Sequence, residues 1–174
     1  MLEVEVRQRF DRARESGAGQ GPLTLIVVEA TATMVAFAAN ESPPQIVRLT
    51  VGGHTLGPGL LRSAPPTPLA LENAIAVVED EVMPLAKQVP NGSTLVGTGN
   101  ALHDVARAAG HTFNEDRMLT IIDVERLFQQ LAALVQGRPF PSSGLPDGNG
   151  FAASLLILRE FMHHLGFAQI RLQT

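Results

Sequence analysis

Thr94-Leu95-Val96-Gly97-Thr98-Gly99-Asn100-Ala101-Leu102-His103-Asp104-Val105-Ala106 decides how this chain is read. It spells a short apolar strand, a tight glycine turn and a helix that runs to Gly110. The backbone N–H groups that open such a helix lack intrahelical partners and carry partial positive charge. The turn is therefore a candidate phosphate cradle, although a strand–glycine–helix junction also serves plain packing. In the packing reading Gly97, Gly99 and Asn100 only let the strand turn tightly into the helix.

Working outward, Leu23–Val28 is a nearly all-apolar run, the pattern of a strand buried on both faces. Glu29–Thr33 turns, Met34–Ala39 returns, and Gln45–Val51 alternates as a half-buried third strand. Three short-linked strands predict an antiparallel meander. A helix follows from Thr67 or Pro68, with Leu69, Leu71, Ile75, Val78 and Val82 on one face and a kink or stop at Pro84. After the opening stretch come a helix capped by Asp123 and running to Val135, a helix from Phe151 to Leu165, and a closing strand over 167–172. The order β-β-β-α-β-α-α-α-β predicts an α/β domain with a mixed sheet and helices on its faces. Residues 1–22 read as an N-terminal amphipathic helix and linker, and residues 23–174 as one domain. The four arginines of the first helix are a candidate anion patch, but the interleaved acids make a solvated face the expectation.

Composition removes several function classes. There is no cysteine, so disulfides, thiolate metal sites and thiol nucleophiles are absent together. The formal charge of −4 and the absence of Trp and Tyr argue against nucleic acid as a partner. No run is long and apolar enough for a membrane helix, and acids and arginines interrupt the N-terminus where a signal core would lie. The expectation is a cytoplasmic protein with no membrane partner. Lys87 is the only lysine.

With these motifs the chain resembles the second half of the actin-like phosphotransferase core, a ribonuclease H-like unit. It is most similar to the C-terminal half of the exopolyphosphatase / guanosine pentaphosphate phosphatase family. The stretches that carry the resemblance are Leu23–Phe37, Val51-Gly52-Gly53-His54-Thr55-Leu56, Thr94–Ala106 and Ala152–Leu172. The resemblance implies that Thr31, Thr33, Gly97, Thr98, Gly99 and Asn100 contact phosphate. It also puts Glu29 where the family carries an acid linked to metal or water. Against it, the family's glycine-rich phosphate loop falls on Glu29-Ala30-Thr31-Ala32-Thr33, which has no glycine. The resemblance further implies that the opposing half, with its phosphate loop and catalytic acid, is not in this sequence.

The expectation is therefore a half-domain, inactive alone, that binds phosphate or a nucleotide as a regulatory module. The alternative is a phosphoric anhydride hydrolase acting on polyphosphate or guanosine pentaphosphate. Its cleft would be completed by a dimer mate or a separate first-half protein. Mg²⁺ would enter only with a phosphate compound. Homodimerisation is the default, through apolar surface expected on the last helix and on Val35–Phe37. Glu160-x-x-His163-His164 has ligand-like spacing but not the H-E-x-x-H order, so no metal site is read there. His103 and Asp104 are helical neighbours and face apart, which makes a poor catalytic dyad.

Overall fold

The structure is a computed structural model and describes residues 2–18, 21–56, 60–63, 65–111, 118–138, 145–146 and 148–173. Strands β1 (Leu23–Val28), β2 (Thr33–Ala38) and β3 (Gln45–Leu49) form the expected meander. The meander is joined to β4 (Thr94–Thr98), β6 (Gln169–Gln173) and β5 (Met118–Thr120) in one six-stranded sheet of order β3-β2-β1-β4-β6-β5. β1 runs parallel to β4, and β4 parallel to β6. Around the sheet lie α1 (Glu3–Ala13), α2 (Gly53–Leu56), α3 (Pro68–Val82), α4 (Asn100–Ala108), α5 (Ile121–Val135) and α6 (Asn149–His164). The mixed α/β architecture is the one the sequence predicts.

All six β1 residues are buried because both sheet faces are covered. Ile26 and Val28 join the large core beneath α3, α4, α5 and α6, whereas Leu23, Leu25 and Val27 point to the other face. There α1 lies across the sheet and buries Val6, Phe10 and Ala13. Burying a Val or Phe contributes about 1.5–3 kcal/mol each. The wide helical turn after α1, Arg14–Ala18, takes Gly17 to φ +79°.

α6 is the centre of the large core. Ala152 through Leu158 are all buried, and the helix touches α2, α3, α4 and α5. A helix that is apolar nearly all round belongs inside. This corrects the expectation of an exposed apolar face: α6 is covered within the chain, and so are Val35 and Phe37.

Local signals explain most element ends. Thr67 caps α3 by accepting from the Ala70 N–H at 3.2 Å, with Pro68 in the first turn. Leu69 corrects the expected apolar face: two residues before the buried Leu71 it falls on the opposite side of the helix and is exposed. Pro84 sits in a 3₁₀ turn, Met83–Lys87, that continues α3. α5 departs from the sequence reading at its start. Thr120 is the cap and Asp123 the third helical residue, and the two bond reciprocally in a capping box. The three residues before it form β5, antiparallel to β6, which the sequence reading leaves unassigned.

Candidate cleft at the ends of the parallel strands

A cavity of about 780 Å³ opens beyond the carboxyl ends of β1 and β4. Parallel strands next to a reversal of chain direction leave such a crevice, because their connections depart to different sides. Here β1 turns back into β2, whereas β4 continues into α4.

The β4 side is built from Gly99 and Asn100. Gly99 has φ +102°, a conformation only glycine adopts without strain, and it starts α4 with no side-chain cap. The first α4 amides are therefore left open at the cavity wall formed by Gly99, Asn100 and Ala101. A second helix presents the same kind of end. Gly148, φ +131°, starts α6 without a side-chain cap, and Gly148, Gly150 and Phe151 line the same cavity. Two uncapped helix N-termini thus converge on one space, and each favours negative charge.

The β1 side is the turn after Val28. Glu29 N–H bonds the Ala32 carbonyl at 2.9 Å, and no residue but glycine takes a positive φ among the described residues. The bend at Glu29–Ala32 is therefore made without a positive-φ residue. Its outward carbonyls are met by α2: Gly53 N–H donates to Glu29 at 2.8 Å and His54 N–H to Ala30 at 2.7 Å. A Cβ on Gly52 would lie 2.5 Å from the Ala32 nitrogen, so the close approach requires glycine there. The amides that open α2 are spent on this turn rather than turned to the cavity.

Of the residues proposed from sequence, Glu29, Thr31, Gly99 and Asn100 line the cavity together. Thr98 does not line it; it lines a smaller adjoining cavity and accepts from Arg9 at 3.0 Å. Two others face elsewhere. Thr33 is buried and donates its hydroxyl to the Val51 carbonyl at 2.8 Å. Gly97 is buried in β4, where a Cβ would come within 2.7 Å of Ile170 Cδ1 and Leu102 Cδ1. Its lack of a side chain serves helix-to-sheet packing.

Arg9 and His54 are the residues the sequence reading missed. Arg9 is carried into the cleft by α1. This corrects the expectation of a solvated face for the four N-terminal arginines: which of them reaches the cleft depends on how α1 docks through Val6 and Phe10. Arg12 joins Arg9, Thr98, Asn100 and His103 around an adjoining cavity of about 350 Å³. His103 and Asp104 do diverge: the imidazole meets the Gln173 carbonyl at 3.0 Å, and the carboxylate pairs with Arg107 at 2.8 Å.

Mg²⁺ takes near-octahedral oxygen ligands and is usually held by one or two carboxylates plus substrate phosphates. Glu29 and Asp104 line the cleft, but among the described residues no three ligand groups converge there. The cleft residues do not make a metal site on their own. Convergence occurs elsewhere, where Glu79 of α3 joins Glu160 and His164 of α6. The sequence reading takes no metal at Glu160-x-x-His163-His164, since a spacing within one helix does not reveal a third group on another. His163 is exposed and lies edge-on to His164.

Neither a protein-family model nor a curated relative matches the sequence. Solved structures do match by fold. A Ppx/GppA family member from Aquifex aeolicus superposes with a TM-score of 0.72 at 16% identity, covering 96% of this chain and 58% of that one. The chain has the Ppx/GppA fold over little more than half of such a protein's length. An exopolyphosphatase from Cytophaga hutchinsonii gives a TM-score of 0.68 at 12% identity over 97% of this chain and 58% of that one. An exopolyphosphatase-like protein gives 0.64 at 14% identity over 88% and 55%. The Ppx/GppA fold is thus present in a sequence of low identity to these neighbours. No helix among the described residues is long and apolar enough to cross a membrane.

Proposed function

We propose that this chain binds a phosphate-bearing compound, a nucleotide or a polyphosphate, in the cleft between Glu29–Thr31 and Gly99–Asn100. The observation that carries the reading is the convergence of the uncapped N-termini of α4 and α6 on one cavity that Arg9 also lines. Helix dipoles and a guanidinium together stabilise an anion there, and bidentate N–H donors match phosphate oxygens. The Ppx/GppA fold supports the same placement.

On this reading the chain binds and does not cut when alone. Phosphoryl transfer depends on positioned charge around the transferred group and on an oriented water. The described cleft offers Arg9 and His54 as its charged or ionisable donors and Glu29 and Asp104 as acids, with Asp104 already paired to Arg107. The second reading, hydrolysis in a cleft completed by another copy or another protein, follows from the coverage of little more than half of the neighbours' length. One experiment separates them. Purified protein is screened by thermal shift against polyphosphate, ATP and guanosine pentaphosphate, with phosphate release measured in parallel. A raised melting point without release fits the binding module. Release that rises with the square of protein concentration, or on adding a partner, favours the completed cleft. No shift with any of the three refutes both.

A further inference from the structure

We infer that Glu79, Glu160 and His164 form a site for a first-row divalent transition metal, zinc foremost, that ties α3 to α6. His164 Nε2 lies 3.2 Å from Glu79 Oε1 and 3.3 Å from Glu160 Oε2, and the three ligand atoms lie within 4.8 Å of one another. Zinc bonds of about 2.0–2.2 Å to nitrogen and oxygen at a tetrahedral angle set neighbouring ligand atoms about 3.3 Å apart. The two separations from His164 match those of ligands around one ion. An imidazole nitrogen carries at most one proton and aims it along one line, whereas a cation among the three atoms meets all of them.

The surroundings are those of a ligand held in place. Glu160 is 1% exposed, a position a carboxylate occupies only when paired or coordinating. Its other oxygen, Oε1, accepts from Arg159 at 2.5 Å; Arg159 in turn pairs with Glu125 at 3.0 Å and lies over the Phe128 ring at 4.2 Å. Such an outer partner fixes which oxygen a carboxylate presents to a metal. Two carboxylates and one imidazole, with no thiolate, suit zinc and its first-row neighbours. Three protein ligands leave a fourth position for water, and His164 also borders a cavity of about 290 Å³ through which solvent reaches the ring. The site is separate from the phosphate cleft. Ser154, at the cleft, and His164 are ten residues apart on α6, about 15 Å along its axis.

The test is titration of the tag-free, chelator-treated chain with Zn²⁺ by calorimetry and with Co²⁺ by visible absorption. The expected result is one equivalent bound, with the absorption of a four-coordinate cobalt ion and a raised melting point in Zn²⁺. Glu79→Gln and His164→Gln are each expected to weaken binding at least tenfold, and His163→Ala to leave it unchanged. Glu79 is 37% exposed on its side chain, so E79Q keeps the test valid should H164Q fail to fold. Absence of one-to-one binding, or equal binding by wild type and E79Q, or loss of binding in H163A, overturns the inference. None of these outcomes depends on whether the cleft binds phosphate.

Discussion

The Arg9 guanidinium donates to the Thr98 hydroxyl at 3.0 Å, joining α1 to the end of β4 across 89 residues of chain. That contact stations a fixed positive charge beside the two helix N-termini of the cleft. Arg9→Ala is expected to weaken binding of polyphosphate or nucleotide about tenfold, the equivalent of about 1.4 kcal/mol and at the low edge of what a hydrogen bond to a charged group contributes. Arg9→Lys should fall between, since a point charge replaces a planar fork. Calorimetric titration of the three proteins checks the order. Equal affinities would remove Arg9 from the site.

The two glycines of β4 and its turn should separate by mutation. Gly97→Ala places a methyl 2.7 Å from Ile170 Cδ1 and Leu102 Cδ1 and is expected to cost about 1–3 kcal/mol of stability by overpacking. Gly99→Ala meets only Val27 Cγ1, at 3.7 Å, and its cost of about 1–3 kcal/mol comes from a positive-φ backbone that essentially only glycine adopts. Only Gly99→Ala should also reduce phosphate affinity, because Gly99 sets the direction of the α4 amides. Urea denaturation reads the first effect and ligand titration the second.

What was legible in the sequence follows from the range of the forces involved. β1, the β4–glycine–α4 junction and the Thr67–Pro68 start of α3 are local, written in runs of apolar residues, a glycine and a cap. β5 was not legible: Met118–Thr120 is three residues long and is a strand only because β6 lies beside it. The α5 start was misread because Asp and Thr both cap, and position alone does not say which is cap and which is third in the helix. In the cleft, Glu29, Thr31, Gly99 and Asn100 came from motif positions, whereas Gly97 and Thr33 carry the same residue types turned toward the core. Arg9 depends on the docking of α1, and Glu79 on the packing of α3 against α6. The arginines of α1 are visible as a cluster, but the sequence does not say which one enters the cleft, and Glu79 has no trace in its own stretch of chain.

That docking can be tested directly. Phe10 is fully buried between α1 and the β1–β2 face, in the cluster with Val6, Leu25 and Met34. Phe10→Ala is expected to destabilise the protein by about 3–5 kcal/mol, as for a large aromatic removed from a core. Val4→Ala, 64% exposed on the same helix, should change stability by less than about 0.5 kcal/mol. Should both variants melt like wild type, α1 would not be part of the cooperative unit. Because Arg9 rides on this helix, a loosened α1 should also lower phosphate affinity in proportion.

The Asp123 carboxyl gives a pH signature. Partial burial pushes its pKa up, but the hydrogen bonds from the Thr120 hydroxyl and N–H and the charge of a protonated His111 outweigh that, leaving it below the ordinary value. A carboxyl with a depressed folded pKa contributes stability that is complete above the unfolded value of about 3.9 and is lost as pH falls through the folded value. Asp123→Asn removes the charge and weakens the capping box, so it is expected to cost about 1 kcal/mol at neutral pH. Below about pH 4 the carboxyl of the unfolded wild-type chain takes up its proton before the folded one does, so the stabilisation fades and the gap between the two proteins should narrow. Urea midpoints measured at pH 7 and pH 3 decide the matter: a gap of the same size at both would mean that the ionised carboxyl adds nothing to the cap.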